Sequence, residues 1–140
     1  MKTLILSATD KREFNANVAL TLDYTDVAAL TSGAAKALIS VLAGTKVQCV
    51  GAKLNTAFDI TGTGALAFTI GDGGSATALH ASTVIAADGT EILYTAGGSA
   101  KAYTVDDTVD IFFTDATSMA YTSGSLTVYL QVEDLNKLPI

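Results

Sequence analysis

Few side chains in this chain are of types that could do chemistry, and their spacing matters. Cys49 is the one cysteine. The chain therefore forms no intrachain disulfide and no cysteine-based zinc site. It lies in Lys46–Val50, which alternates like a strand, so Cys49 reads as a small buried apolar residue. A nucleophilic thiol needs a base within reach. The sole histidine, His80, lies far along the chain in Ala78–Ser82, and neither residue has a catalytic signature around it. With no second histidine or nearby cysteine, His80 reads as a surface or internally satisfied histidine.

Asp106, Asp107 and Asp110 are the densest acidic group. Hard cations take about six to eight oxygens, often from Asp at alternating loop positions. The EF-hand pattern is absent. Asp106 and Asp107 read as a polar turn, and Asp110 falls in the strand that follows. Paired carboxylates also hydrolyse glycosides, but there is no Trp to serve as a sugar platform. Gly71-Asp72-Gly73-Gly74-Ser75 is the richest glycine cluster. A phosphate cradle needs such glycines before a helix N-terminus, usually with a Lys. No Lys follows, and the cluster reads as a turn. No G-x-S-x-G elbow occurs. Tyr94, Tyr103, Tyr121 and Tyr129 are spread along the second half and read as strand packing and interface residues. The residues thus assign no catalytic, cofactor-binding or metal site. The expectation is a protein that is not an enzyme and carries no cofactor.

The elements that hold these residues are short strands. Asn17–Tyr24 places Val18, Leu20, Leu22 and Tyr24 on one face, the period-two signature of a half-buried strand. Lys46–Phe58, Ala65–Ile70, Glu91–Tyr94, Thr108–Thr114 and Leu126–Glu133 follow. In the last, Leu126, Val128, Leu130 and Val132 face one way, and Thr127, Tyr129, Gln131 and Glu133 the other. Thr3–Ser7 and Ala37–Leu42 bring the total to about eight. Turn signals recur at Gly44, Gly62-Thr63-Gly64, Gly71–Gly74, Asp88-Gly89, Gly97-Gly98 and Ser123-Gly124. Many short strands with glycine punctuation point to an all-β sandwich or barrel. Asp26–Gly44 reads two ways. Val27, Leu30, Ala34, Leu38 and Val41 fit a helical face ending at Gly44. The other reading is a turn near Asp26–Leu30, then a strand through Ala37–Leu42. Against the first, Ser32-Gly33 lies in the middle, and an interior Gly costs about 1 kcal/mol relative to Ala; the preference for the second comes chiefly from the resemblance given below.

The 140 residues suit one domain, 1–140, and residues 1–15 leave room for an extended arm. Hydrophobic residues make up 49% and charged residues 16%, well short of the roughly 25% usual in globular chains. Charge-rich disorder is thereby excluded. The formal net charge is −6, with eight Lys and Arg, so the chain is a poor candidate for gripping phosphates, and no direct nucleic-acid partner is expected. Nine of the fourteen acidic residues fall after residue 70, with only two of the eight basic ones. The apolar start Leu4–Leu6 is too short for a signal core. Val27–Ala43 is interrupted and falls short of the roughly 20 residues of a spanning helix, so no membrane segment is expected.

Four passages add a resemblance. They are Leu42-Ala43-Gly44-Thr45-Lys46-Val47 with the strand ending Thr56–Asp59, Leu66-Ala67-Phe68-Thr69-Ile70-Gly71-Asp72-Gly73, Asp107–Ile111, and Thr122-Ser123-Gly124-Ser125 leading into Leu126–Leu130. In this order they resemble the jelly-roll structural proteins of tailed-phage virions, the capsid decoration or cement proteins and the bases of head fibres. The resemblance implies a single-domain, jelly-roll-like antiparallel β-sandwich of about eight strands. At most one short helix, near residues 26–31, is expected within it. It also implies a subunit on the outer surface of the virion, made in the host bacterial cytoplasm. Its partner would be the major capsid protein, with a homotrimer as the expected assembly. A head fibre or neighbouring decoration protein is a further partner on that reading. Loops and the N-terminal arm would make the contacts, including strand addition to a partner's sheet edge. The competing reading is a receptor- or carbohydrate-binding sandwich of a tail or head fibre.

Overall fold

The computed structural model describes residues 1–4, 16–59, 66–85, 93–95, 99–116 and 118–137. Ten strands occur among them. These are β1 (Lys2–Leu4), β2 (Val18–Asp23), β3 (Ala35–Val41), β4 (Thr45–Thr56), β5 (Ala67–Gly71), β6 (His80–Val84), β7 (Leu93–Thr95), β8 (Lys101–Ala102), β9 (Asp107–Thr114) and β10 (Ser125–Asp134). All pairings are antiparallel. One sheet has the order β1-β2-β10-β4-β7, with β8 also on β4. The other runs β3-β9-β5-β6.

Successive strands cross from one sheet to the other, except at β1–β2, β5–β6 and β7–β8. Both ends of each sheet are thereby wrapped around a shared interior, the connectivity of a jelly roll. One buried apolar cluster joins the layers. Leu20, Leu22, Val47, Leu54, Val128 and Leu130 face Phe68, Ile70, Val109, Ile111 and Phe113 across it. The expected all-β sandwich is the fold observed. β7 and β8 share one edge of β4, and β1 is a short addition beside β2, so the wrap itself has eight positions.

The Asp26–Gly44 segment is a strand preceded by a short helix. Asp23 caps α1 (Tyr24–Ala28): its carboxylate accepts from the Thr25 and Asp26 backbones, and Asp26 accepts from the Asp23 N–H in return. Val27 is buried beneath the helix. The helix begins two residues earlier than expected and takes Tyr24 out of the strand face assigned to it. It cannot continue, because Gly33 has φ +82 and leads into β3. Gly44, with φ +86, turns β3 into β4 rather than ending a helix.

The expected Lys46–Phe58 strand is β4, which ends at Thr56 and is irregular at two places, the first where the register slips past Asn55 between Ser125 and Leu126. The register shifts again between Tyr129 opposite Gly51 and Leu130 opposite Cys49. Val50 is the extra residue of this bulge. β6, β8 and a C-terminal 3-10 turn at Leu135–Lys137 were not expected. The turns at Gly62–Gly64 and Asp88-Gly89, the strand residues Ile5–Ser7 and Glu91–Ile92, and most of the arm over residues 1–15 lie outside the described residues.

The face of the larger sheet turned away from the core carries a second buried cluster of Ala16, Ala19 and Tyr129, with Val50 against it. Beside it runs a hydroxyl–amide ladder. Thr21 and Thr127 share a hydrogen bond of 2.7 Å, and the Asn55 amide donates to the Thr127 hydroxyl at 2.7 Å. Asn17 extends the β2–β10 ladder through its side chain, donating to Val132 O at 2.7 Å and accepting from Val132 N at 2.9 Å.

Candidate functional surface

The residues singled out above for chemistry are dispersed by the fold, and most are committed to holding loops. Cys49 is buried in β4 and faces the core. Burial pushes its thiol up to about 12, against only a weak contact to Gly51 O. A thiol held neutral in this way is a packing residue. His80 opens β6. It is buried, with Nε2 sharing a 2.8 Å hydrogen bond with the Thr83 hydroxyl and its ring 5.5 Å from that of Phe68. Burial holds its pKa below the usual histidine value. Cys49 and His80 lie in different sheets.

Three tyrosines of the second half can be placed, and each is buried rather than arranged as a platform. Tyr129 lies in the outer-face cluster. Tyr121 donates a hydrogen bond to the Asp115 carboxylate and meets Phe58 edge-on, with ring centroids 5.5 Å apart. Tyr103 donates to Asp72 at 3.1 Å. The Tyr94 side chain lies outside the described residues. Asp59 anchors the turn before β10, accepting from the Thr122 hydroxyl and from the Thr122 and Ser123 N–H groups. Those bonds hold its carboxyl down at about 2.

The Gly71–Ser75 cluster is the expected turn, and it is not built on positive φ. Neither Gly73 nor Gly74 has positive φ. Gly71 is needed for space, since a Cβ there would sit 2.0 Å from Ser75 O. The β5–β6 loop folds back over it. This fold-back buries Asp72, whose Oδ1 accepts from Gly74 N at 2.9 Å and Ser75 N at 3.1 Å. Its Oδ2 accepts from Lys101 Nζ at 2.5 Å. The Lys101 ammonium also lies 5.1 Å from the centre of the Tyr103 ring, a cation–π arrangement.

Asp106 and Asp107 form the polar turn into β9. Asp106 accepts from Ala43 N at 3.0 Å and Asp107 from Thr108 N at 2.8 Å. Asp110 is buried on β9. Burial raises its pKa, and the neighbouring Asp107 and Asp72 charges raise it further against a hydrogen bond from Thr108. Among the described residues, no group of three or more His, Cys, Asp or Glu is placed to hold a metal ion. None of their helices is long and apolar enough to cross a membrane.

Asp110 yields a signed prediction. A raised folded-state pKa stabilises below the unfolded value of 3.8, and that contribution is lost as pH rises through the folded pKa. At pH 7 the charge is therefore a burden on the fold. Asp110→Asn keeps an acceptor for Thr108 and removes the charge. It is expected to raise Tm by a few degrees at pH 7, with the gain vanishing below about pH 4. Thermal melts across that range check it, and an unchanged or lowered Tm at pH 7 refutes it.

One end of the sandwich holds six of the ten described acidic residues, while Asp23, Asp26, Asp59 and Asp115 lie at the other. At the first end the β3–β4 turn (42–44), the β5–β6 loop (72–79), the β8–β9 loop (103–106) and the 3-10 turn lie together. Gly44 N donates to Tyr103 O at 2.7 Å, Tyr103 N to Thr45 O at 2.8 Å, and Leu135 N to Gly44 O at 2.8 Å. Asp72, Asp106, Asp107, Asp110, Glu133 and Asp134 converge on this end with Lys46, Lys101 and Lys137. The uneven charge along the sequence thus becomes an uneven charge in space.

Fold and surface together define a class: a jelly-roll-like β-sandwich in which the buried Asp72 and Asp115 hold its loops. No protein-family model, curated protein or solved structure matches the chain.

Proposed function

We propose that this chain is a non-enzymatic structural protein of a tailed-phage virion, a capsid decoration protein bound to the outer surface of the major capsid lattice. The observation that carries this reading is where the four resembling passages fall. Leu42–Val47 is the β3–β4 turn entering β4, and Leu66–Gly73 is β5 running into its fold-back loop. Asp107–Ile111 opens β9, and Thr122–Leu130 is the turn feeding β10. Along the chain they keep the order such proteins have, with β6, β7 and β8 lying between the second passage and the third. Loops fixed by Asp59, Asp72, Asp106 and Asp115 suit adhesion, which needs rigid surfaces and no reactive group. The mechanism is mass action: a subunit that binds only the assembled shell stabilises it by the free energy of binding. A homotrimer is the expected assembly on this reading.

The test combines size-exclusion chromatography with light scattering and sedimentation with undecorated heads of the phage that carries the gene. A mass near three times 14.3 kDa, with pelleting on intact heads and none with dissociated capsid subunits, supports the proposal. Failure to pellet with heads overturns it. Binding to a glycan panel in that case would favour the receptor-binding alternative.

A further inference from the structure

We infer that the tip formed by the β3–β4 turn and the β8–β9 loop is the docking end of this protein, and that its partner presents an apolar recess bordered by Lys or Arg. The inference rests on the capsid-binding reading, with the capsid surface as that partner.

Leu42 and Val105 are the most exposed large apolar residues described, at 67% and 66%. They leave the same tip. The β3–β9 register sets Val41 opposite Asp107, so the next residues outward, Leu42 and Asp106, face each other. Ala43 N donates to Asp106 Oδ1, and Gly44 N to Tyr103 O. The tip is therefore fixed before binding, which reduces the ordering cost of association. An apolar centre with a polar rim is the anatomy of a protein interface.

The rim decides the chemistry of the partner. Each lysine at this end already has a carboxylate: Lys46 pairs with Glu133, Lys101 with Asp72 and Lys137 with Asp134. Asp106 and Asp107 accept only backbone N–H groups in the bonds described above. No ion pair among the described residues neutralises either. Charge complementarity therefore calls for cations from outside, around a recess that takes Leu42 and Val105. Two side chains make a small anchor, so useful occupancy needs a repeating partner on which several copies bind together.

The experiment is quantitative pelleting with undecorated heads at low and high salt. It compares the wild type, Leu42→Asp/Val105→Asp, Asp106→Asn/Asp107→Asn and Val84→Asp. Val84 is 59% exposed at the far end of β6, so its variant places one such added charge, against two at the tip, elsewhere on the surface. Leu42, Val84, Val105 and Asp106 are exposed and Asp107 is half-buried at the start of β9, and thermal melts confirm folding. The expected result is a tenfold or greater loss for the Leu42/Val105 variant and less than a twofold change for Val84→Asp. The Asp106/Asp107 variant should bind more weakly and lose most of the salt dependence. Wild-type pelleting that the Leu42/Val105 variant retains overturns this inference and leaves the decoration reading standing. No pelleting by the wild type removes the decoration reading and, with it, this inference.

Discussion

Gly124→Ala is expected to cost about 4 kcal/mol of stability. Two independent penalties coincide at this residue. Its φ is +131, where an L side chain is strained by about 1–3 kcal/mol. A Cβ there would also lie 2.3 Å from Phe58 Cδ1 and 2.4 Å from Cγ. The ring cannot retreat. Phe58 is fully buried, and Tyr121 packs edge-on against it while held by Asp115. Overpacking of this kind costs about 1–3 kcal/mol. The turn also receives α1, through Tyr24 N donating to Gly124 O at 2.9 Å, so yielding there would loosen the helix. For a chain of this size the loss corresponds to a Tm drop of roughly 10–15 °C. Gly33→Ala is the control. Its φ is +82, but a Cβ would meet nothing within 4 Å. Only the backbone penalty applies, about 1 kcal/mol or a little more. Differential scanning calorimetry of both variants reads the comparison. Equal drops would mean that the Phe58 contact carries no weight.

The same physics explains what could be read in the sequence. Strands with one face in the core were legible, since Leu20 and Leu22, or Leu126, Val128 and Leu130, must alternate to be buried. β6 was not. It is the outer strand of its sheet, and Ala81, Ser82 and Val84 face solvent, so His80–Val84 shows no apolar rhythm. β8 has two residues and exists because β4 is long enough to carry two partners on one edge. The bulge at Val50 is signalled only by Gly51 beside it. Thr127, Tyr129 and Gln131 stand on the strand face opposite Leu126, Val128 and Leu130, where no apolar run marks a buried surface. Thr127 and Tyr129 are nonetheless buried there, among Ala16, Ala19 and Asn55.

The candidate surface was the least legible part, and the reason is sequence distance. Leu42 reads as the last apolar residue of a strand. Nothing nearby says that the strand ends at Val41 or that Val105, from a distant loop, emerges beside it. Asp72 looks like an ordinary turn residue beside its glycines. Its burial depends on Lys101 and Tyr103, which arrive from β8 and the residue after it. Aspartates are common in turns for local reasons. Which of them becomes a tertiary anchor is decided by strands that the local pattern does not pair.

Asp72→Ala is accordingly expected to destabilise by about 3 kcal/mol at pH 7, lowering Tm by about 10 °C. The carboxylate is 0% exposed and serves four donors. Removing it strands the Tyr103 hydroxyl and two backbone N–H groups, each worth about 1–3 kcal/mol when buried without a partner, less what water recovers. Lys101 contributes less, because its side chain is 39% exposed and its ammonium can turn to solvent. Lys101→Met should therefore cost no more than about 1 kcal/mol. The pH dependence separates charge from shape. Burial alone would raise the Asp72 carboxyl, but Lys101, the two N–H groups and Tyr103 outweigh it and hold the pKa below the ordinary 3.8. A depressed folded-state pKa gives stability that is present above 3.8 and lost as pH falls through the folded value. The gap between wild type and Asp72→Ala should thus be full at pH 7 and narrow steadily below pH 3.8. Urea titrations at several pH values measure it. A gap unchanged at acid pH would show that the carboxylate's charge is not what ties the β5–β6 loop to β8, and a Lys101→Met variant as damaging as Asp72→Ala would show that the ion pair outweighs the other three bonds.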